Sequence, residues 1–219
     1  MKYFIGLVLL VGSIAIGYTC WYDQQPTGTV IILNGPSAAG KTSIQKEFQQ
    51  IMMPKLWIKL GIDTLFDAPL PNITAENIAF WQKENSIRWV ESTKDSEGHN
   101  LITLYVGPDG DRVAYAMNSA IAAYAKQGCS IIVDYIAYKA EWITDLKRKL
   151  KNIKTHWVKV AIPLEVLEER EKARGTSPVG HARSHYNYVY DNIDYDLQVS
   201  PHIQSAAEIA QLIKVTFKF

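Results

Sequence analysis

Cysteine is nearly absent from this chain. Its 219 residues contain only Cys20 and Cys129, and neither stands in a C-x-x-C or Cys/His spacing, which excludes a disulfide framework and a structural zinc site. An excess of charge is missing too: 23 Lys plus Arg face 22 Asp plus Glu. The basic residues are scattered, the densest run being 147–154, so no nucleic-acid partner is expected. Internal repeats and low-complexity tracts are absent, as is the guanine-specifying N-K-x-D signature of GTPases. What remains is an ordinary globular composition, 47% hydrophobic and 21% charged. The length suits one domain whose core can form without disulfides or metals.

One hydrophobic run stands out. After Lys2, residues 3–22 carry no charge and are rich in Ile, Leu, Val and Gly. Two readings compete: a secretory signal peptide with a short basic start and an apolar centre, or a transmembrane anchor, for which about 20 apolar residues suffice. Either way the expected location is membrane-anchored or exported, with the membrane met only through this N-terminal segment. Residues 23–28 read as a linker, leaving 29–219 as the folded domain.

Within that domain strand and helix signals alternate. A short β-branched run at 29–34 (TVIILN), an apolar run at 56–60, and the segments 130–135 (SIIVDY), 155–162 and 196–200 read as strands. Helical stretches are expected at 41–52, 112–127, 139–151, 164–174 and 203–214. That alternation argues for βαβ units: an α/β three-layer sandwich with a mainly five-stranded parallel sheet. Residues 67–111 break the pattern. There the sequence predicts a helix at 75–86 and a hairpin over 88–106 turning at Ser96-Glu97-Gly98-His99-Asn100. An insertion on a rigid scaffold is a natural place for acceptor-binding groups; Trp81, Trp89 and Tyr105 within it, and Tyr115 and Tyr124 after it, are aromatic candidates for an acceptor pocket, with the core as the alternative.

The chemistry-bearing motif is Gly35-Pro36-Ser37-Ala38-Ala39-Gly40-Lys41-Thr42, a G-x-x-x-x-G-K-[ST] phosphate loop between a strand and a helix. Glycines let the backbone wrap a polyphosphate, and successive amides with the helix N-terminus face the anion. Lys41 would reach the β and γ phosphates of ATP, and the Thr42 hydroxyl would hold Mg²⁺.

Three further sets accompany the loop. Asp63, just after the second strand, sits where ligands meet an open sheet; it is either a general base for an attacking hydroxyl or a helix N-cap. Asp134 ends the apolar run Ile131-Ile132-Val133 in the manner of a Walker B carboxylate supporting Mg²⁺, with a loop cap as the alternative. Arg170 and Arg174, four apart, share a helix face before the Gly/Pro-rich run 175–180, which reads as a lid over 170–190 delivering positive charge to the transferring phosphoryl group. The alternative is a surface helix on which Glu168, Glu169 and Glu171 form solvated ion pairs. His181 and His185 also share a face, without the carboxylate partner that a metal site needs.

The runs VIILNGPSAAGKTSI, LGIDTL, QGCSIIVDY, EEREKARG and YDLQVS together resemble the chloramphenicol phosphotransferase family of P-loop small-molecule kinases. The resemblance extends over 29–213. It implies ATP-dependent transfer to a hydroxyl, with Asp63 as catalytic base, phosphate binding at Gly40, Lys41 and Thr42, and lid arginines at Arg170 and Arg174. The insertion differs from the family's, so the acceptor is expected only to be a small hydroxyl compound. Two rival readings are a nucleotide-binding regulator without turnover and a toxin-like kinase of a nucleotide sugar.

Overall fold

The structure, a computed structural model, describes residues 26–67, 70–92 and 94–219. At its centre lies β1 (Val30–Asn34), every residue of which is fully buried. β5 (Ser130–Tyr135) and β6 (Thr155–Val160) flank it in parallel, with Ile32 opposite Val133 on one side and Trp157 on the other. β2 (Trp57–Gly61) extends the sheet beyond β5, and β7 (Leu197–Val199) beyond β6, giving the all-parallel order β2-β5-β1-β6-β7. β1 reads as an unbroken apolar run because helices cover both faces of the sheet. Alternation along the strand sends Val30 and Ile32 to one side and Ile31 and Leu33 to the other.

On the first side they meet Met117 and Ile121 of α3 (Pro108–Lys126) and Trp142 and Leu146 of α4 (Ala140–Lys149). On the second they meet Ile44 and Phe48 of α1 (Lys41–Met52) and Ile209 and Ile213 of α7 (Ala206–Thr216). α7 opens with a reciprocal capping box between Ser205 and Glu208, which satisfies two orphan amides. At the carboxyl end of β1 the Asn34 amide donates to the Val189 carbonyl at 2.8 Å and its oxygen accepts from the Ala137 amide at 3.2 Å. One buried side chain thereby pins two loops that border the site.

The helix expected at 75–86 shrinks to the single turn α2 (Ile78–Trp81). Side chains divert the backbone on both sides of it. The Asn77 oxygen accepts from the Thr74 amide and its NH₂ donates to Asn72, while the Ser86 hydroxyl donates to the Trp81 and Lys83 carbonyls. Short polar side chains compete with helix bonds in this way. The hairpin forms as β3 (Ile87–Ser92) antiparallel to β4 (Leu101–Val106), a separate two-stranded sheet. In its turn the Asp95 carboxylate accepts from the Glu97 and His99 amides, both at 2.9 Å.

The membrane-anchored or exported location expected from the leader is corrected. Among the described residues no helix is long and apolar enough to cross a membrane, and residues 1–22, on which that expectation rested, lie outside the described residues.

Candidate active site

The phosphate loop leaves β1 and enters α1. A Cβ on Gly35 would lie 2.6 Å from the Val160 carbonyl of the neighbouring strand, so only glycine passes. Gly40 opens the helix at φ +97°, a conformation that other residues adopt at a cost. The Lys41 ammonium, 4% exposed, donates to the Gly35 and Pro36 carbonyls at 2.9 and 2.7 Å and pairs with Asp134 at 3.3 Å. Thr42 donates its hydroxyl hydrogen to the other oxygen of Asp134 at 2.7 Å. Asp134 reaches this position because β5 lies beside β1, in register with Leu33.

Asp63 opens a π-helical turn (Asp63–Asp67) directly after β2. Its side chain is 72% exposed, and its carboxylate lies 3.9 Å from the Arg174 guanidinium. Arg174 ends α5 (Leu164–Arg174), which Gly175 terminates at φ +61°. One turn earlier Arg170 donates to the Pro201 carbonyl at 2.8 Å and to Ala39 of the phosphate loop at 3.4 Å.

Two cavities meet at these residues. The first, of 500 Å³, is lined by Ser37, Ala38, Ala39, Gly40, Lys41 and Thr42 together with Lys46, Asp134 and Arg170. Gly35 and Pro36 do not line it; they serve through the carbonyls that hold Lys41. The second, of 360 Å³, has a wall of mixed character, its apolar part made by Ile62, Phe66, Trp81, Ile87, Trp89, Leu104 and Ile136 among others. Arg88, Tyr138 and His181 add polar atoms to it. Ser37, Ile62, Asp63, Ile136 and Arg174 line both spaces. Of the aromatic candidates, Trp81 and Trp89 line the second cavity. Tyr105 instead packs beneath Arg88 and donates its hydroxyl hydrogen to Glu84, and Tyr115 lies beside a separate shallow hollow against α4.

Sequence reasoning placed the helix α6 (His181–Tyr186) within the lid but missed its histidines as part of the site. His181 faces the second cavity between Trp89, whose ring centroid is 4.4 Å away, and the Tyr138 hydroxyl at 2.9 Å from its Nε2. Burial, aided by the charge of Lys41, pushes its pKa down to about 4. His185, fully buried one turn later, is likewise held well below the usual imidazole range by burial and then by its cationic and imidazole neighbours. α6 is seated by Glu171, whose buried carboxylate accepts from the Gly180 and Ala182 amides at 2.8 and 2.7 Å. Arg183 binds Glu168 of α5 at 2.5 Å and Asp95 of the hairpin turn at 3.0 Å. The only signal for these partners was the i, i+4 spacing of the two histidines and the run of glutamates before Gly175.

A model of the chloramphenicol phosphotransferase-like protein family matches residues 28–218. The chain belongs to this family. A Mycobacterium tuberculosis (strain H37Rv) protein bearing an O-phosphotransferase name is 26% identical over 193 residues, spanning 88% of this chain and 84% of that one. Among solved structures, the M. tuberculosis APS kinase CysC in complex with AMPPNP and APS superposes with a TM-score of 0.58 at 17% identity, covering 89% of this chain and 100% of its own. A gluconokinase from Sinorhizobium meliloti 1021 gives 0.53 at 16% identity, covering 89% and 94%. At such identities the likeness speaks for the fold, that of P-loop kinases. Family and fold together make this member of the chloramphenicol phosphotransferase-like family a kinase-type phosphotransferase with a P-loop nucleotide site.

Proposed function

We propose that the protein transfers the γ-phosphoryl group of ATP to a hydroxyl of a small molecule held in the second cavity. The observation that carries this reading is the shared wall: Asp63 and Arg174 line both the phosphate-loop cavity and the second one. A reacting hydroxyl placed there stands beside a carboxylate, with cations gathered on the phosphate side. The acceptor oxygen attacks the γ-phosphorus as its proton passes to Asp63, and the bond from that phosphorus to the β-γ bridging oxygen breaks. Lys41, Arg170 and Arg174 offset the charge on the moving group. The hairpin region 67–111 supplies the acceptor wall, and 170–190 serves as the lid.

Mg²⁺ fits the donor set at the phosphate end, where the Thr42 hydroxyl and the Asp134 carboxylate converge beside Lys41 as hard oxygen ligands. When bound it would neutralise charge on the phosphates.

The experiment follows γ-labelled ATP into a small-molecule cell extract, with chloramphenicol as one parallel acceptor. A new labelled compound should form with the unsubstituted protein and be lost in Lys41→Ala. Asp63→Asn should slow transfer by about 10²–10⁴-fold while ATP still binds. Full turnover in Asp63→Asn would remove the base from its role, and ATP binding without any labelled product would overturn the reading as a kinase.

A further inference from the structure

The two histidines of α6 belong to the lid region, yet one of them reaches into the phosphate loop. His185 Nε2 accepts the Ser37 amide hydrogen at 3.1 Å, across 148 positions of sequence. That bond fixes the tautomer: the ring proton must sit on Nδ1. Nδ1 is buried and finds no hydrogen-bond partner of normal geometry among the described residues, although the His181 carbonyl one turn back faces it. A buried polar atom left so poorly served is uncommon. The imidazole is therefore held for the sake of its Nε2.

The residue after Ser37 shows what is being held. Ala38 stands at φ +62°, a left-handed conformation that costs about 1–3 kcal/mol for a residue with a Cβ and persists only where its surroundings over-determine it. Within the loop Lys41 holds the Gly35 and Pro36 carbonyls, but the Ala39 amide meets the Pro36 carbonyl only at 3.4 Å, and none of these bonds reaches the Ser37 amide. His185 supplies an anchor from outside. Its ring is itself packed against Tyr138 and His181, with centroids 5.1 and 4.6 Å away. Ser37, the anchored residue, lines both cavities.

We propose that His185 is a positioning residue of the phosphate loop: through Nε2 it holds the Ser37 amide, and with it the Ser37–Ala38 turn, in the shape that receives the phosphates. The lid helix α6 thereby sets the loop as well as covering the acceptor. A neutral ring is required, since a protonated one has no acceptor for the amide and would place a second cation near Lys41. This inference rests on the kinase reading for its effect on ATP, but not for the bond itself.

The test uses the full chain in two parts. First, calorimetric titration with ATP and Mg²⁺ compares the unsubstituted protein with His185→Phe, which keeps a ring but lacks an acceptor, and His185→Gln, whose amide oxygen can stand near Nε2. Loss of one hydrogen bond should weaken ATP binding about five- to tenfold in His185→Phe, with His185→Gln restoring most of it at an equal melting temperature. Unchanged binding in His185→Phe, or binding in folded His185→Gln as weak as in His185→Phe, would overturn the proposal. Second, exchange of the Ser37 amide hydrogen is followed by NMR in the unsubstituted protein. Protection is expected, and exchange as fast as in an open loop would overturn the proposal even where His185→Phe does not fold. Failure of the unsubstituted protein to bind ATP would instead sink the kinase reading, while Ser37 exchange still decides the role of His185.

Discussion

Asp134 answers to two partners at once, accepting from the Thr42 hydroxyl and pairing with Lys41, with its side chain only 13% exposed. Replacement by Asn keeps the shape and removes the charge. Asp134→Asn is expected to raise the Mg²⁺ concentration needed for half-maximal transfer by about tenfold or more, read from a magnesium titration of label transfer, since a neutral amide is a weaker ligand for a hard cation. Glu171 is a different kind of carboxylate. It is 1% exposed, and its charge is met by two backbone amides at the start of α6. Charge-assisted bonds of this sort contribute about 1.5–3 kcal/mol, so Glu171→Gln should lower unfolding free energy by that order in a urea titration. In the sequence Glu171 stood out only as a member of solvated ion pairs, in the surface-helix alternative to the lid. Its burial depends on a lid that folds back over α5, and nothing local in EEREKARG announces that return. His185 was obscure for the same reason, its partner lying on a loop 148 positions away.

The hairpin and α6 form a single assembly. The Ile102 amide donates to the Gly180 carbonyl, His181 packs on Trp89, and Arg183 spans from Glu168 to Asp95. Arg183→Ala would cut the link between lid and hairpin turn and leave Glu168 without its cation. Because Arg183 is 15% exposed, the loss should exceed that of a surface pair. We expect at least about 1 kcal/mol of stability, together with faster proteolytic nicking at the 94–100 turn. Nicking no faster than in the unsubstituted protein would show that the hairpin stands without the lid. The elements themselves were largely legible. The strands of the central sheet announced themselves through short apolar runs, β-branched in β1 and β5, and helices α1, α3, α4, α5 and α7 through their length between strands. The single turn α2 was not legible, because the competing bonds of Asn77 and Ser86 override an ordinary helical composition.

At the scale of the molecule, the parallel sheet gathers the ends of β1, β2 and β5 on one rim, which is why Lys41, Asp63 and Asp134 could be brought together from sequence order alone. The wall of the second cavity was legible only in part. Trp81 and Trp89 stood out in the insertion, but their placement against the rim did not, since they belong to a region whose hairpin has no strand pairing to the central sheet. The two buried histidines also give the fold a pH signature. Their native pKa values lie below the unfolded value of 6.5, that of His181 at about 4. Between those limits the unfolded chain binds more protons, so stability falls as pH drops below 6.5. Urea midpoints should decline from pH 7 to pH 5, each histidine adding a slope of up to about 1.4 kcal/mol per pH unit. A variant carrying both His181→Gln and His185→Gln should show a flatter decline over that interval, and an equally steep one would assign the loss to other groups.

The common wall of Ser37, Ile62, Asp63, Ile136 and Arg174 has a pharmacological corollary. Because two ligand spaces open onto each other there, one molecule can occupy both. On the proposed transfer, an alcohol analogue joined through a phosphate chain to adenosine would meet its second half at the high effective concentration of a short tether. Such a bisubstrate inhibitor should bind more tightly than either fragment alone. Varying its chain length by one phosphate at a time would measure, in solution, the distance between acceptor and donor.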